Sequence, residues 1–344
     1  MSGFQLTINS IPPEIRARSF TIIRDADGIK TIPRLITLSH ICTLWRREVL
    51  QNKTLWTSMI WPRLGNYSYD LLVHIFDKTP LAFSTGLHID LGTLSDARRL
   101  SYVLENVGER IAGLSYGPGY DKKDNELARG ILEEHISRTR LTLQSLKLWK
   151  FELPSPLYIP GHFPLLEVIS VHHGDLDWDR VHFITSLRHL TIHCPSSGIE
   201  WQDFLNILYH LPLLTSFESV GCLDWYSEAQ PDLPDHLTIP IPFEPPSLQK
   251  LSFLEYKSDM LYQLLQHLHF PSEKLTFVKI DLESNEESEW VDEEDLSRLW
   301  TDYEGVFTRI LGTSGGVEQH DNGWRCFLHG QTHVYLRIQD PHRS

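Results

Sequence analysis

The sequence predicts an α/β chain: a small helical unit over residues 1–61, then an irregular solenoid of alternating strands and helices over residues 62–344. Three observations carry this expectation. Apolar residues near the N-terminus recur at three- and four-residue steps, the period of one helix face. Beyond Trp61-Pro62 a motif of the form apolar-x-x-apolar-x-apolar returns at variable spacing. Between its copies lie stretches with helical periodicity, so strand and helix alternate along the chain.

In the first unit, Ile11-Pro12-Pro13-Glu14-Ile15 opens a helix. Ser10 is suited to cap it, and proline is tolerated in a first turn, where its missing N–H is not needed. Arg24 to Pro33, with Asp27-Gly28 inside it, reads as a loop. A second helix is expected from about Leu35 to Leu50, because Leu38, Ile41, Trp45 and Val49 form one apolar stripe. Arg46, Arg47 and Glu48 fall largely off that stripe. Leu55-Trp56 and Met59-Ile60 add a short apolar piece. So small a helical unit has little core of its own and must pack on something else.

The succession Ile11-Pro12-x-Glu14-Ile15, Leu38-Ser39-x-Ile41-Cys42-x-x-Trp45-Arg46 and Asn52-x-x-Leu55-Trp56 resembles the F-box, in the form common in fungal F-box proteins. The usual opening Leu-Pro is here Ile11-Pro12. The resemblance covers residues 8 to 61. It implies a three-helix unit that docks on a Skp-type adaptor, which joins it to a cullin scaffold and a RING ubiquitin ligase. On this resemblance Ile11, Pro12, Ile15, Leu38, Ile41 and Trp45 make or shape the adaptor-docking face, and Cys42 is buried. The plainer reading of the same residues is a helical cap on the solenoid.

The repeated motif begins as Ile111-x-x-Leu114-x-Tyr116, Leu143-x-x-Leu146-x-Leu148 and Leu166-x-x-Ile169-x-Val171. It continues as Leu187-x-x-Leu190-x-Ile192, Leu214-x-x-Phe217, Leu248-x-x-Leu251-x-Phe253 and Leu275-x-x-Val278-x-Ile280. Its spacing of roughly 21 to 34 residues is similar to that of leucine-rich repeats, around and beyond their usual length. Asp96 to Val107, Ala128 to Arg138, Trp201 to Leu211 and Ser258 to Leu268 carry the helical periodicity between copies. Leu153 and Leu176 fill the trailing leucine of the consensus, and only Cys222 fills its asparagine-or-cysteine position. The proline-rich stretch Asp232 to Pro246 reads as an insertion loop. Such units bury their apolar faces only against their neighbours.

From Asp281 to Asp295 the chain is acidic with no basic residue, which reads as a solvated loop. Asp295 to Leu311 has helical character. Gly315-Gly316 and Asn322-Gly323 mark turns, and Trp324 to Leu328 with His333 to Ile338 form a final strand pair that caps the array.

The formal net charge of -14 argues against sequence-independent binding to nucleic acid or to an anionic membrane. Cys42, Cys194, Cys222 and Cys326 are scattered, with no C-x-x-C, so reduced thiols in the cytoplasm or nucleus are expected, and neither a zinc site nor a disulfide framework. The N-terminal residues lack the basic and apolar regions of a signal peptide. No apolar run approaches the ~18 residues of a membrane span.

The search for chemistry returns nothing. No H-E-x-x-H or G-x-S-x-G occurs. Asp175, Asp177 and Asp179 start like a calcium loop, but Arg180 and Ser186 stand where glycine and glutamate are required. Gly117-Pro118-Gly119 with Lys122-Lys123 lacks the spacing of a phosphate loop. No enzyme activity, cofactor or metal is therefore expected.

The expected function is that of the substrate-recognition subunit of a Skp–cullin–F-box ubiquitin ligase; the alternative is a non-catalytic interaction scaffold outside ubiquitylation. In each strand motif the leucines point inward, so the alternating residues line the opposite face. Lys147, Trp149, His172 and His193 are the candidates there for binding a target protein, in company with Ser115, Ser170, Thr191, Glu218, Ser252, Leu254 and Lys279.

Overall fold

The computed structural model describes residues 11–25, 32–52, 55, 60–61, 86–94, 97–118, 122–174, 176–177, 179–194, 201–221, 245–257, 261, 265, 268, 275–283, 301, 303, 305, 316–319, 324–329 and 332–338. The chain is α/β and divides into two compact units, Met1–Trp149 with Pro154–Pro156, and Lys150–Leu153 with Leu157–Ser344. The expected division at residue 61 does not coincide with this boundary. The N-terminal helices share the first unit with four described strands.

In the first unit, α1 (Pro13–Asp25) starts where the carbonyl of Pro12 accepts the N–H groups of Ile15 and Arg16, both at 3.1 Å. Ser10 lies outside the described residues. The inward stripe of α1 is Arg16, Phe20 and Arg24, all nearly buried. Phe20 meets the Trp45 ring edge to face, centroids 4.8 Å apart.

The single helix expected from Leu35 to Leu50 is two: α2 (Ile32–Ser39) and α3 (Thr43–Gln51). Cys42 separates them in an extended conformation, and its sulfur accepts the N–H of Trp45 at 3.5 Å as an N-cap. This capping position at the α2–α3 break leaves Cys42 half-exposed rather than buried as expected. The apolar stripe runs on in register across the break, so periodicity could not mark it.

Four strands follow: β1 (Ile60–Trp61), β2 (Leu87–Leu94), β3 (Ile111–Pro118) and β4 (Ser145–Trp149). They pair in chain order and all parallel. Parallel neighbours need crossovers, supplied by α4 (Ala97–Val107) and α5 (Lys122–His135). Leu100, Val103, Leu104 and Val107 of α4 and Ala128, Ile131 and Leu132 of α5 are buried.

The second unit repeats the pattern with β5 (Val168–His172), β6 (His189–His193), β7 (Ser216–Val220), β8 (Lys250–Lys257) and β9 (Phe277–Glu283), again parallel and in chain order. The connections vary. A 3-10 turn at Val181–Phe183 lies between β5 and β6, and α6 (Trp201–His210) between β6 and β7. Of the helix expected at Ser258 to Leu268, the described Leu261 and Leu265 are helical, and both are buried with Leu268. The inward residues Ile169, Val171, Leu190, Ile192, Phe217, Leu251, Phe253, Val278 and Ile280 form the core.

Two backbone details recur. A left-handed residue follows the fourth to seventh strands: Lys150 at φ 59°, His173 at 51°, Cys194 at 41° and Gly221 at 57°. In the second unit each of these N–H groups reaches a carbonyl of the following strand, the last one in the first three cases: Lys150 to His172, His173 to His193, Cys194 to Val220 and Gly221 to Leu254 within β8, at 2.6 to 2.9 Å. At the other end of the strands one carbonyl takes two successive N–H groups. Glu167 accepts from Arg188 and His189, Arg188 from Thr215 and Ser216, Thr215 from Gln249 and Lys250, and Gln249 from Thr276 and Phe277.

Three more strands of the second unit are described: β10 (Gly316–Gln319), β11 (Trp324–His329) and β12 (Thr332–Ile338). β11 and β12 form the expected antiparallel pair, but β12 also lies parallel beside β9, giving the order β9-β12-β11-β10. Gly316, expected in a turn, begins β10. The acidic stretch expected to be a loop from Asp281 starts as strand instead. Asp281 is buried in β9 and holds the guanidinium of Arg337 at 2.9 and 2.6 Å, which is why it sits inside. Residues 284–295 lie outside the described residues. Among the described residues no helix is long and apolar enough to cross a membrane.

Candidate functional site

The six residues expected at the N-terminal face separate into two groups. Ile15 and Ile41 are about half exposed, at 54% and 52%, Pro12 is exposed, and Ile11 is half-buried. Leu38 and Trp45 are buried, so they shape this face from beneath without forming it. The Trp45 indole N–H finds no hydrogen-bond partner among the described residues.

Sequence reasoning missed two further members, Ile22 at 62% and Ile23 at 39% exposure. Ile15 and Ile22 are seven residues apart and share a helix face. That spacing is visible in the sequence, but nothing there says whether such a face points in or out. Here it points out, and arginine takes the inner side. Arg16 meets Glu48 of α3 with two prongs, Nε to Oε2 at 2.7 Å and Nη2 to Oε1, and also donates to the carbonyl of Ile11. Arg24 donates to the carbonyl of Leu55 at 3.1 Å. The inner side of α1 thus carries two arginines around Phe20, while isoleucines stand among the polar residues of its outer side.

On the first unit's sheet, Lys147 and Trp149 stand on the half-exposed face of β4, while Leu146 and Leu148 are fully buried. The Lys147 amine lies 4.6 Å from the centre of the indole ring, a cation–π contact. Opposite on β3 the outward positions are small. Gly113 leaves room for the imidazole of His88, since a Cβ there would stand 2.0 Å from Nδ1. Gly117 lies against the Trp149 ring, and Ser115 donates to Asp90 at 3.2 Å.

On the second unit's sheet the outward residues align in rows. One row runs Ser170, Thr191, Glu218, Ser252, Lys279 and Tyr335 across β5 to β9 and β12. A second runs Val168, His189, Ser216, Lys250, Phe277 and His333. Beside them His172 and His193 stack with ring centroids 4.1 Å apart and planes 19° from parallel. Nε2 of His172 is 2.9 Å from the Ser170 hydroxyl, and Nε2 of His193 is 3.5 Å from Glu218. The hydrogen bond from His193 holds the Glu218 carboxyl below its usual range, aided by the positive charge of Lys279 and the imidazoles. The expected target-facing residues are thus at the surface in both units, Lys147 and Trp149 in one, His172 and His193 in the other.

Among the described residues no three or more histidine, cysteine, aspartate or glutamate side chains are placed to hold a metal ion. Neither known protein families nor curated protein sequences match this chain. What can be said of its role therefore rests on these surfaces. Those surfaces carry apolar, aromatic and charged groups.

Proposed function

We propose that this chain is the substrate-recognition subunit of a Skp–cullin–F-box ubiquitin ligase. In this reading α1, α2 and α3 are the F-box, and they bind a Skp-type adaptor that brings a cullin and a RING ligase. The strands that follow are a leucine-rich-repeat-like solenoid that holds a target protein. The chain supplies no catalytic group and needs no cofactor. It accelerates transfer by proximity, holding target lysines near the charged E2 enzyme. Its place is the cytoplasm or nucleus, with neither nucleic acid nor membrane as partner.

The observation that carries this reading is the exposure of Ile15, Ile22 and Ile23 on α1. A helix that turns isoleucines to solvent and arginines inward pays for that arrangement unless a partner covers the apolar side. Supporting it are the residue order that resembles the F-box and the recurring backbone pattern of the strands, which suits a repeat array.

Replacing Ile15 and Ile22 together by serine tests it. Both are exposed, so folding should survive. Losing two buried side chains from the interface, each worth about 1.5 kcal/mol or more, should weaken adaptor binding on the order of a hundredfold. Co-purification of a Skp-type adaptor and cullin with the wild-type chain, lost in the double variant, is the expected result. Wild-type chain that brings down no adaptor, or a variant that binds it undiminished, would overturn the reading.

A further inference from the structure

Charge is unevenly placed along this chain. Residues 1–61 hold eight lysines and arginines against four aspartates and glutamates, a net charge of +4, in a chain whose net charge is -14. Residues 62–344 therefore carry -18. Part of the positive charge is turned inward: Arg16 is taken by Glu48, and Arg24 donates to the Leu55 carbonyl. Arg18, Arg46 and Arg47 are exposed, and none of them meets a carboxylate among the described residues. Glu14, in the first turn of α1, forms no ion pair among the described residues. Two of the three exposed arginines stand beside exposed isoleucines. Ile15, Arg18 and Ile22 follow one another at three and four residues on α1, so they share one outward stripe. Arg46 of α3 donates from Nε to the Ser39 carbonyl at 3.2 Å, which holds its side chain at the α2–α3 break, where Ile41 is exposed.

We propose that Arg18 and Arg46 select an acidic partner for these isoleucines: an adaptor whose docking groove is apolar and edged with aspartate or glutamate. This rests on the ligase reading, which names an adaptor but not its charge. Apolar side chains interleaved with positive charge that no carboxylate of the chain neutralises fit an apolar groove with an acidic rim. The rest of the chain decides between a protein and other acidic occupants. Nucleic acid and anionic membrane are extended negative surfaces, and the -18 of residues 62–344 repels them. A protein confines its carboxylates to one site. Exposed ion pairs add little to final affinity, so the two arginines act on the rate of encounter and on which partner is accepted. The isoleucines, once covered, set how long the complex lasts.

The test uses the full chain and a purified Skp-type adaptor, immobilised for biolayer interferometry. Raising the salt from about 0.05 M to about 0.5 M should slow association of the wild type on the order of tenfold and leave dissociation nearly unchanged. Arg18→Glu with Arg46→Glu should slow association by a similar factor at low salt and flatten its salt dependence. Arg18→Lys with Arg46→Lys, which keeps the charge, should associate nearly as fast as the wild type. Arg18 is exposed, so Arg18→Glu alone should melt as the wild type does and still slow association severalfold. That single variant carries the test even where changing Arg46 disturbs its bond to Ser39. Association indifferent to salt, an Arg18→Glu chain that associates as fast as the wild type, or tighter binding to anionic phospholipid vesicles or to a single-stranded oligonucleotide than to the adaptor would each overturn the proposal. Adaptor binding that ignores both salt and the arginines sinks this proposal and leaves the ligase reading standing, whereas no adaptor binding by the wild type sinks both.

Discussion

Arg16 and Glu48 illustrate how a single pair fixes the N-terminal helices. The pair joins α1 to α3 across 32 residues of sequence, and the arginine side chain is almost inaccessible. Removing one partner leaves a charge in a site it cannot leave cheaply, whereas replacing both by apolar groups of similar volume need not cost stability. Glu48→Ala should therefore lower the melting temperature measured by circular dichroism more than Arg16→Met with Glu48→Leu does. A double variant as unstable as the single one would show that the pair stabilises through its own attraction. None of this was legible beforehand. Sequence periodicity identifies that Arg16, Phe20 and Arg24 share a face, but an arginine stripe reads as solvent-facing until its acceptors, far away in the chain, are known. Trp45 and Leu38 were legible as residues of importance because they lie on the apolar stripe of α2 and α3. Whether they touch a partner or lie beneath the surface was not, since burial depends on the neighbouring helix.

The strands are where sequence reading went furthest. Seven motif copies from Ile111 to Ile280 coincide with β3 to β9, because a leucine pair at i and i+2, flanked by polar residues, has one stable arrangement on a half-buried sheet. The connections were less legible. A 3-10 turn at Val181–Phe183 does the same work between β5 and β6 that α6 does between β6 and β7, and short turns leave no long periodic signature. The left-handed residue after the strands was equally hidden, because only one of the four positions, Gly221, is glycine. Residues with a Cβ pay roughly 1 kcal/mol or more in that conformation. His173→Gly should thus raise stability by about 1 kcal/mol, and Gly221→Val should lower it by at least as much, in urea titrations followed by tryptophan fluorescence. A His173→Gly chain that is less stable would mean that the imidazole makes up for its backbone strain.

At the scale of the molecule, two groups make stability depend on acidity, in the same direction. Desolvation and the nearby His182 hold His210 below its ordinary pKa of 6.5, so the unfolded chain takes up that proton first. Its contribution is present above pH 6.5 and is lost as the pH falls below it. Glu218, depressed from 4.5 chiefly by its hydrogen bond with His193, favours the folded state above that pH and ceases to as acid protonates it. The urea midpoint should decline on acidification from neutrality, beginning near pH 6.5. His210→Asn should flatten the first part of that decline. A midpoint that holds steady down to pH 5, or a His210→Asn curve that parallels the wild type, would remove His210 from the account.

The place of β12 has a consequence for how the chain is made. Strands β6 to β9 each find their partner in the strand just before, so each newly synthesised strand can zip onto an edge already waiting. β9 ends this succession. Its far edge is filled by β12, whose Arg337 is 56 residues further along than the Asp281 it holds. During translation that edge stays bare while β10 and β11 emerge, and Asp281 waits for its counter-charge. A ribosome stalled between Glu283 and Thr332 would hold a nascent chain with β5 to β9 made and the β12 side of β9 unpaired, the kind of edge that recruits stray strands. Quality control acting on this protein would meet its most vulnerable intermediate in that window of synthesis.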